Sequence, residues 1–262
     1  MKYLGSKSRI VKDILPYIQG IIDKKALNIY VEPFCGGANV IDKVFCTHKI
    51  AVDNNRYLIA LLDGVANNNY VPYMTVDKAL YDAARQSYYQ QDGKFTDTEL
   101  GCIGFLASYN GRFFDGGYAK AGWEETKTGK RYRDYYQESK RNLIEQAKNL
   151  SGIKFYWSDY ADFLDKFQRG MPPNKVLFYC DPPYKDTKQY STSGSFQYDN
   201  FWDYMRRLSK VAYVIISEEN APNDFLCIWN KSVSRSIKAT AKSKASEKLF
   251  VYNDGLLKNE WG

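Results

Sequence analysis

Asp181-Pro182-Pro183-Tyr184 directly follows the apolar run Val176-Leu177-Phe178-Tyr179-Cys180. These residues bring together a carboxylate, a main-chain carbonyl followed by a proline that lacks an N–H, and an aromatic ring. Such a set suits a planar nitrogen heterocycle carrying an exocyclic amine. That amine is a poor nucleophile because its lone pair is delocalised into the ring, yet it offers two N–H donors. The Asp181 carboxylate and the Pro182 carbonyl can accept both. Hydrogen bonds of this kind favour a more tetrahedral nitrogen and stabilise the charge that develops as it attacks a methyl group. Tyr184 would stack on the ring face. The same four residues also read as an ordinary strand-to-loop turn, where Asp and Pro are common.

The elements that must position this chemistry follow from the flanking residues. Val176 to Cys180, bounded by Pro, Lys and Gly, reads as a buried central strand. The two prolines then force a rigid corner and hold Asp181 extended at the carboxyl end of that strand. In open α/β sheets this edge is where ligands bind. Asn28-Ile29-Tyr30-Val31 is a second strand, ending in Glu32-Pro33-Phe34-Cys35-Gly36-Gly37-Ala38-Asn39-Val40. The order strand, glycine turn, helix predicts a helix beginning near Ala38, with its amide donors and dipole aimed at a ligand. The full Gly-x-Gly-x-x-Gly of dinucleotide binders is absent, so a smaller nucleoside-like ligand fits better than a pyrophosphate. Lys49-Ile50-Ala51-Val52-Asp53-Asn54 is a third strand, and its acid lies about 20 residues past the first strand, the spacing at which such folds place a carboxylate on ribose hydroxyls. Asp53 is the expected ribose ligand; an Asp-Asn-Asn turn or helix cap is the alternative.

Taken together, Glu32 to Gly37, Asp53 and Asp181 to Tyr184 resemble the cofactor loop, ribose acid and catalytic motif of the DNA adenine-N6 methyltransferases, specifically the Dam-like D12 class. The resemblance implies a Rossmann-like α/β fold: a mixed seven-stranded sheet with helices on both faces, interrupted by a mainly helical target recognition domain. It places the catalytic domain at residues 1–55 and 151–262 and the insertion at 56–150. Lys2-Tyr3-Leu4-Gly5-Ser6-Lys7 is similar to the family's Lys-Trp-Ala-Gly-Gly-Lys segment, which implies cofactor contacts for Tyr3 and Lys7. Ser158-Asp159-Tyr160, after the strand-like Lys154-Phe155-Tyr156-Trp157, matches the segment that packs on the cofactor's adenine, which adds Asp159 and Tyr160, while Asn54 joins Asp53. Val214-Ile215-Ile216-Ser217 matches the strand after the catalytic motif, and Ser234-Arg235-Ser236-Ile237 with Lys244 to Tyr252 the C-terminal hairpin. The implied donor is S-adenosyl-L-methionine, leaving S-adenosyl-L-homocysteine, and the implied acceptor is N6 of an adenine flipped from duplex DNA. A sulfonium is a sufficient leaving group, so no metal is needed.

Bulk properties accord with this. The 262 residues carry a net charge of +7 and 16% aromatic side chains, which favours a polyanionic partner such as double-stranded DNA. Cys35, Cys46, Cys102, Cys180 and Cys227 are odd in number and show no Cys-x-x-Cys, against a disulfide framework or zinc site and for a reducing, cytoplasmic setting; the resemblance implies a bacterial or phage-infected cell. His48, the only histidine, reads as a surface residue. No apolar stretch is long enough to span a membrane and no signal-peptide core is present, so no membrane partner is expected.

Within the insertion, Thr98 to Leu106 reads as a buried helix leading into Ser108-Tyr109-Asn110-Gly111-Arg112-Phe113-Phe114. Turn chemistry at Asn110-Gly111 is expected to expose Tyr109, Arg112 and the phenylalanines. Lys120, Lys127, Lys130, Arg131 and Arg133, interleaved with Trp123 and tyrosines, suit phosphate contacts, or else form a hairpin tip with solvated charges. Lys2, Ser108, Tyr109, Asn110, Gly111, Arg112, Phe114, Lys120, Lys130, Arg131 and Arg133 are the candidate DNA contacts. Dam-like enzymes share the Tyr-Asn-Gly. Those that read GATC place a guanine-reading arginine three residues beyond the glycine, where this chain has Phe114, and follow it with Pro-Phe-Gly, where this chain runs Tyr118-Ala119-Lys120-Ala121-Gly122. An altered or relaxed target follows from that departure, the alternative being that Arg112 does a similar job in another register. A monomer in solution and a cognate restriction endonuclease complete the expectations. Methylation of cytosine N4, methylation of an RNA or protein amide, and a non-catalytic DNA-binding module are the alternatives.

Overall fold

The computed structural model describes residues 1–126, 129–168, 170, 175–183, 196–238 and 241–260. A 3-10 turn (Lys7–Arg9) precedes α1 (Val11–Lys24), β1 (Ile29–Glu32) and β2 (His48–Asp53). Three helices follow, α2 (Arg56–Asn67), α3 (Lys78–Gln90) and α4 (Asp97–Leu106), then a hairpin of β3 (Gly122–Thr126) and β4 (Gly129–Arg133). The chain continues through α5 (Tyr135–Ala147), β5 (Lys154–Trp157), α6 (Tyr160–Gln168), β6 (Val176–Cys180), α7 (Tyr198–Ser209), β7 (Tyr213–Glu218), β8 (Phe225–Lys238) and β9 (Ala241–Tyr252). Among the described residues no helix is long and apolar enough to cross a membrane.

Seven strands form one mixed sheet in the order β5-β2-β1-β6-β7-β9-β8. β1 lies parallel between β2 and β6, β6 pairs parallel with β7, and β9 runs antiparallel between β7 and β8. From β1 the chain first works outward through β2, then returns to β6 on the other side of β1, so the strand order reverses between β1 and β6. This is the Rossmann-like arrangement, in which the crevice beyond the carboxyl ends of the strands at the reversal holds ligands.

The chain divides into two compact units. One comprises Met1–Arg9, Gly36–Lys43 and Asn55–Trp157; the other comprises Ile10–Cys35, Val44–Asn54 and Ser158–Gly262.

In the second unit, every residue of β1 and of β6 is buried, as parallel strands covered on both faces require. Val31, Val52, Phe178 and Ile216 from four strands pack with Phe201, Met205 and Leu208 of α7 in one apolar cluster. α1 presents Val11, Ile14, Ile18, Ile21 and Ile22 to the interior, the spacing of a single helical face.

In the first unit, α4 carries Asp97 and Glu99 in its first turn and is apolar on every side from Leu100 to Leu106, all of which are buried. Thr96 and Glu99 form a capping box that starts it. Gly101 lets it approach α2 closely, since a Cβ there would lie 2.2 Å from the Tyr57 carbonyl oxygen.

The strands at 28–31, 49–54, 154–157, 176–180 and 214–217 form within a residue or two of their expected positions, and β8 pairs with β9 as the expected hairpin. The helix expected from Ala38 does not form: residues 36–43 are a succession of turns. Ala38 sits in the left-handed region at φ 54°, which breaks any right-handed run. The Gly37 and Ala38 carbonyls accept hydrogen bonds from the Gln146 side chain at 3.0 and 2.9 Å instead of from helical amides.

Candidate functional site

In the second unit, the parallel register aligns Glu32 with Ala51 and Val31 with Phe178, so β1, β2 and β6 end at one edge. Glu32, Asp53 and Asp181 all stand there. Glu32 is 2% exposed, and its carboxylate accepts the Tyr30 hydroxyl at 2.8 Å. Burial and that carboxylate push the Tyr30 hydroxyl well above its usual pKa, so it remains a donor. Beyond Pro33 the chain turns along β2, and the Cys35 N–H donates to the Val52 carbonyl at 2.8 Å. The Asp53 carbonyl accepts the Ser158 N–H at 3.1 Å, tying the turn before α6 to the end of β2. Asp53 is half-buried and Asn54 exposed. Asp159 caps α6, its carboxylate accepting from the Ala161 N–H at 2.8 Å.

Phe34 packs on Tyr160 with ring centroids 4.9 Å apart, and Phe196 joins both at 5.9 and 5.8 Å. Burial, then the neighbouring Asp159, push the Tyr160 hydroxyl up to about 12. Asp181 is half-buried and Pro182 buried, and the Pro183 carbonyl accepts the Tyr198 hydroxyl at 2.6 Å, which pins the corner after β6. Tyr184 lies outside the described residues. The Cys35 and Cys180 thiols are pushed up, by burial first and then by nearby carboxylates: Asp53 and Glu32 for Cys35, Asp181 and Glu32 for Cys180. Both stay protonated at neutral pH, so neither serves as a thiolate nucleophile. The edge therefore offers fixed hydrogen-bond acceptors and an aromatic wall rather than a covalent nucleophile.

In the first unit, Gly36 and Gly37 make room for Tyr3. A Cβ on Gly36 would lie 2.8 Å from the Tyr3 ring, and one on Gly37 2.8 Å from the Tyr3 Cβ. Gly36 also has φ +47°, where a side chain would be strained. Lys7 lies in the 3-10 turn and is buried.

The family model for the D12 class N6 adenine-specific DNA methyltransferases matches residues 3–224. The chain belongs to that family. The match takes in both units, from Tyr3 through the Glu32 to Gly37 loop and Asp181 to Asp224. The type II methyltransferase M.FokI of Planomicrobium okeanokoites is 23% identical over 95% of this chain, and this D12-class chain spans only 42% of that relative's length. Two structures of the rRNA methyltransferase aviRa from Streptomyces viridochromogenes align with TM-scores of 0.43 and 0.45 at 12% identity, covering 96% and 98% of this chain and 86% and 89% of theirs.

The candidate DNA contacts of this D12-class chain separate into exposed and internal groups. Tyr109 and Asn110 are exposed, and Asn110 and Gly111 both take positive φ, 56° and 66°, as Asn-Gly turn chemistry requires. A Cβ on Gly111 would meet the Lys2 carbonyl oxygen at 2.5 Å. Lys120, Lys130 and Arg131 are exposed, and Arg112 is half-buried. The hairpin pairs Trp123 with Tyr132 and Glu124 with Arg131. Arg133 grips Glu138 at 2.9 and 3.4 Å and lies 4.3 Å from the Tyr135 ring, while Lys2 pairs with the same Glu138 at 2.9 Å.

Two expectations are corrected here. Phe113 and Phe114 are not exposed: they are 3% and 1% accessible, and Phe114 packs against Tyr81, Tyr88 and Phe113. Ser108 is internal as well, its hydroxyl accepting the Phe114 N–H at 3.1 Å and meeting the Tyr81 hydroxyl at 3.0 Å. Rings on α3 draw these residues inward, so neither Ser108 nor Phe114 is presented to a ligand. Sequence reasoning missed Phe196 and Gln146, neither of which stands in a motif.

Proposed function

We propose that this chain transfers a methyl group from S-adenosylmethionine to N6 of a flipped adenine in double-stranded DNA. The observation that carries the reading is the Asp181-Pro182-Pro183 corner at the carboxyl end of β6, beside the end of β1 where the strand order reverses, in a member of the D12 class. S-adenosylmethionine, when bound, supplies a methyl group on a sulfonium leaving group. Asp181 and the Pro182 carbonyl accept the two N–H donors of the adenine amine, and the pinned Pro183 holds them in place without reorganisation. Tyr184 is assigned to stacking on the base.

Donor binding is assigned to Glu32 to Gly37, Asp53, Asn54, Asp159 and Tyr160, with Tyr3 and Lys7. The residues fit a nucleoside: acceptors at strand ends suit ribose hydroxyls, and the Phe34, Tyr160 and Phe196 rings suit a flat base. Residues 56–150, with Lys2, are assigned to target recognition, through Tyr109, Asn110, Gly111, Arg112, Lys120, Lys130, Arg131 and Arg133. The target is other or broader than GATC, because Phe114 is internal where GATC readers use arginine. A cognate restriction endonuclease and action as a monomer in the cytoplasm belong to the same proposal.

The test is Asp181→Ala. Methyl transfer should fall by about two to three orders of magnitude or more, with DNA affinity kept. Wild-type-like transfer by the variant, or modification of cytosine in place of adenine, refutes the assignment.

A further inference from the structure

Gln146 lies on α5, in the region assigned to target recognition, yet its side chain serves the glycine loop that follows β1. It is 7% exposed. Its Nε2 donates to the Gly37 carbonyl at 3.0 Å and the Ala38 carbonyl at 2.9 Å, and lies 3.5 Å from Asn39 Oδ1. Its Oε1 accepts from the Met1 nitrogen at 2.5 Å, which orients the amide with its donor end toward the loop. Ala38 is wholly buried and held at φ 54°, a left-handed backbone in which the Cβ of a non-glycine residue crowds the following carbonyl oxygen. Such conformations persist where the surroundings over-determine them. Here the two carbonyls flanking the Ala38 nitrogen and Cα are clamped by one buried amide.

We infer that Gln146 is a positioning residue for methyl-donor binding: it locks the Gly36-Gly37-Ala38 loop in its left-handed conformation by hydrogen-bonding the Gly37 and Ala38 carbonyls. The inference rests on the reading of that loop as part of the donor site. With the clamp removed, Ala38 relaxes toward the right-handed or extended regions, and only a fraction of molecules keeps the binding-competent loop. Apparent donor affinity falls by that fraction. The two loop bonds of the clamp go to Gly37 and Ala38, while its Oε1 bond holds Met1 beside Lys2, an assigned DNA contact, so loss of the side chain weakens donor binding more than donor-free DNA binding.

Gln146→Met keeps the length and most of the volume of the side chain but donates nothing. Equilibrium dialysis with labelled S-adenosylmethionine should show affinity lowered about tenfold, as loss of buried hydrogen bonds implies. Donor-free affinity for a DNA duplex should fall by a clearly smaller factor, since only the Met1 bond lies beside an assigned DNA contact. Adding Ala38→Gly to Gln146→Met should recover a good part of the lost donor affinity, because glycine takes the left-handed conformation without the Cβ penalty. A side chain with a merely structural role would lower donor and DNA binding by equal factors and would not respond to Ala38→Gly. Should Gln146→Met fail to fold, Gln146→Asn, which withdraws the amide by one methylene, should lose donor affinity several-fold. Wild-type donor affinity in either folded variant, or a loss that Ala38→Gly leaves unrelieved, overturns the inference. If the wild-type protein itself retains no S-adenosylmethionine, it is the donor-site reading that fails.

Discussion

Installing arginine at position 114, where the Dam-like resemblance implies a guanine reader in GATC enzymes, should destabilise this protein rather than retarget it. Phe114 is 1% exposed, with its ring centroid 5.4 Å from Tyr81, 5.5 Å from Tyr88 and 4.8 Å from Phe113. Its N–H is taken by Ser108 and its backbone sits at φ 46°, so the side chain cannot swing outward without breaking the turn. Deleting a buried phenylalanine costs about 3–5 kcal/mol. The methylene stem of arginine refills part of the space, but desolvating a guanidinium adds several kcal/mol, of which stacking on tyrosine rings returns only about 1–2 kcal/mol. A net loss of about 4 kcal/mol is a large share of the roughly 5–15 kcal/mol that holds a domain folded. At about 2–4 °C per kcal/mol, Phe114→Arg should melt about 8–16 °C below wild type. Phe114→Leu should lose only about a quarter to a third of that, since it keeps an apolar side chain in the cavity. Thermal melts followed by circular dichroism compare the three proteins directly. A Phe114→Arg protein that melts within a few degrees of wild type and gains affinity for guanine-containing duplexes would show that this position can face a ligand.

Gly111→Ala should lower both stability and DNA affinity, because its Cβ would meet the Lys2 carbonyl at 2.5 Å, whereas Gly117→Ala, also at positive φ but with open space around it, should show the backbone effect alone; equal melting temperatures for the two would remove the packing argument. The Arg133 hydrogen bonds, helped by Lys2, hold the Glu138 carboxyl down at about 2, below its usual 4.5. A depressed carboxyl stabilises the fold above its unfolded pKa and loses that contribution as pH falls from about 4.5 toward 2, so the gap in melting temperature between wild type and Glu138→Gln should close over that range. Parallel curves would mean that the network contributes nothing. In the native protein a disulfide reagent should modify Cys227 quickly and Cys46 more slowly, with Cys35, Cys102 and Cys180 reacting only in denaturant; fast labelling of Cys35 or Cys180 would contradict their burial.

The strands of the sheet were readable because each is a short apolar run with a strong stop. β6 ends in two prolines, and β1 and β2 end in acids followed by turn residues. Their convergence at one edge also follows from sequence, once a parallel sheet is assumed. What could not be read were contacts made across long separations. Gly36-Gly37-Ala38 has the local composition of a turn into a helix, and the residue that diverts it, Gln146, lies more than 100 positions away with nothing unusual around it. Phe113 and Phe114 follow an Asn-Gly turn, so local rules place them at a loop tip; the tyrosines of α3 decide otherwise. Glycine roles were half legible. Gly36 and Gly37 read as a glycine turn, but what fills the space beside them in the first unit is Tyr3, which only the fold reveals.

The position of β9 sets a timetable for folding. β7 can zip onto β6 as soon as it is made, but its other edge stays bare until residues 241–252 arrive to pair Ile216 with Phe250 and Ser217 with Leu249. β8, though synthesised first, has no seat of its own until β9 lies between it and β7. A nascent chain therefore carries an open, apolar strand flank until residues 241–252 are made, the interval in which intermolecular pairing competes with completion of the sheet.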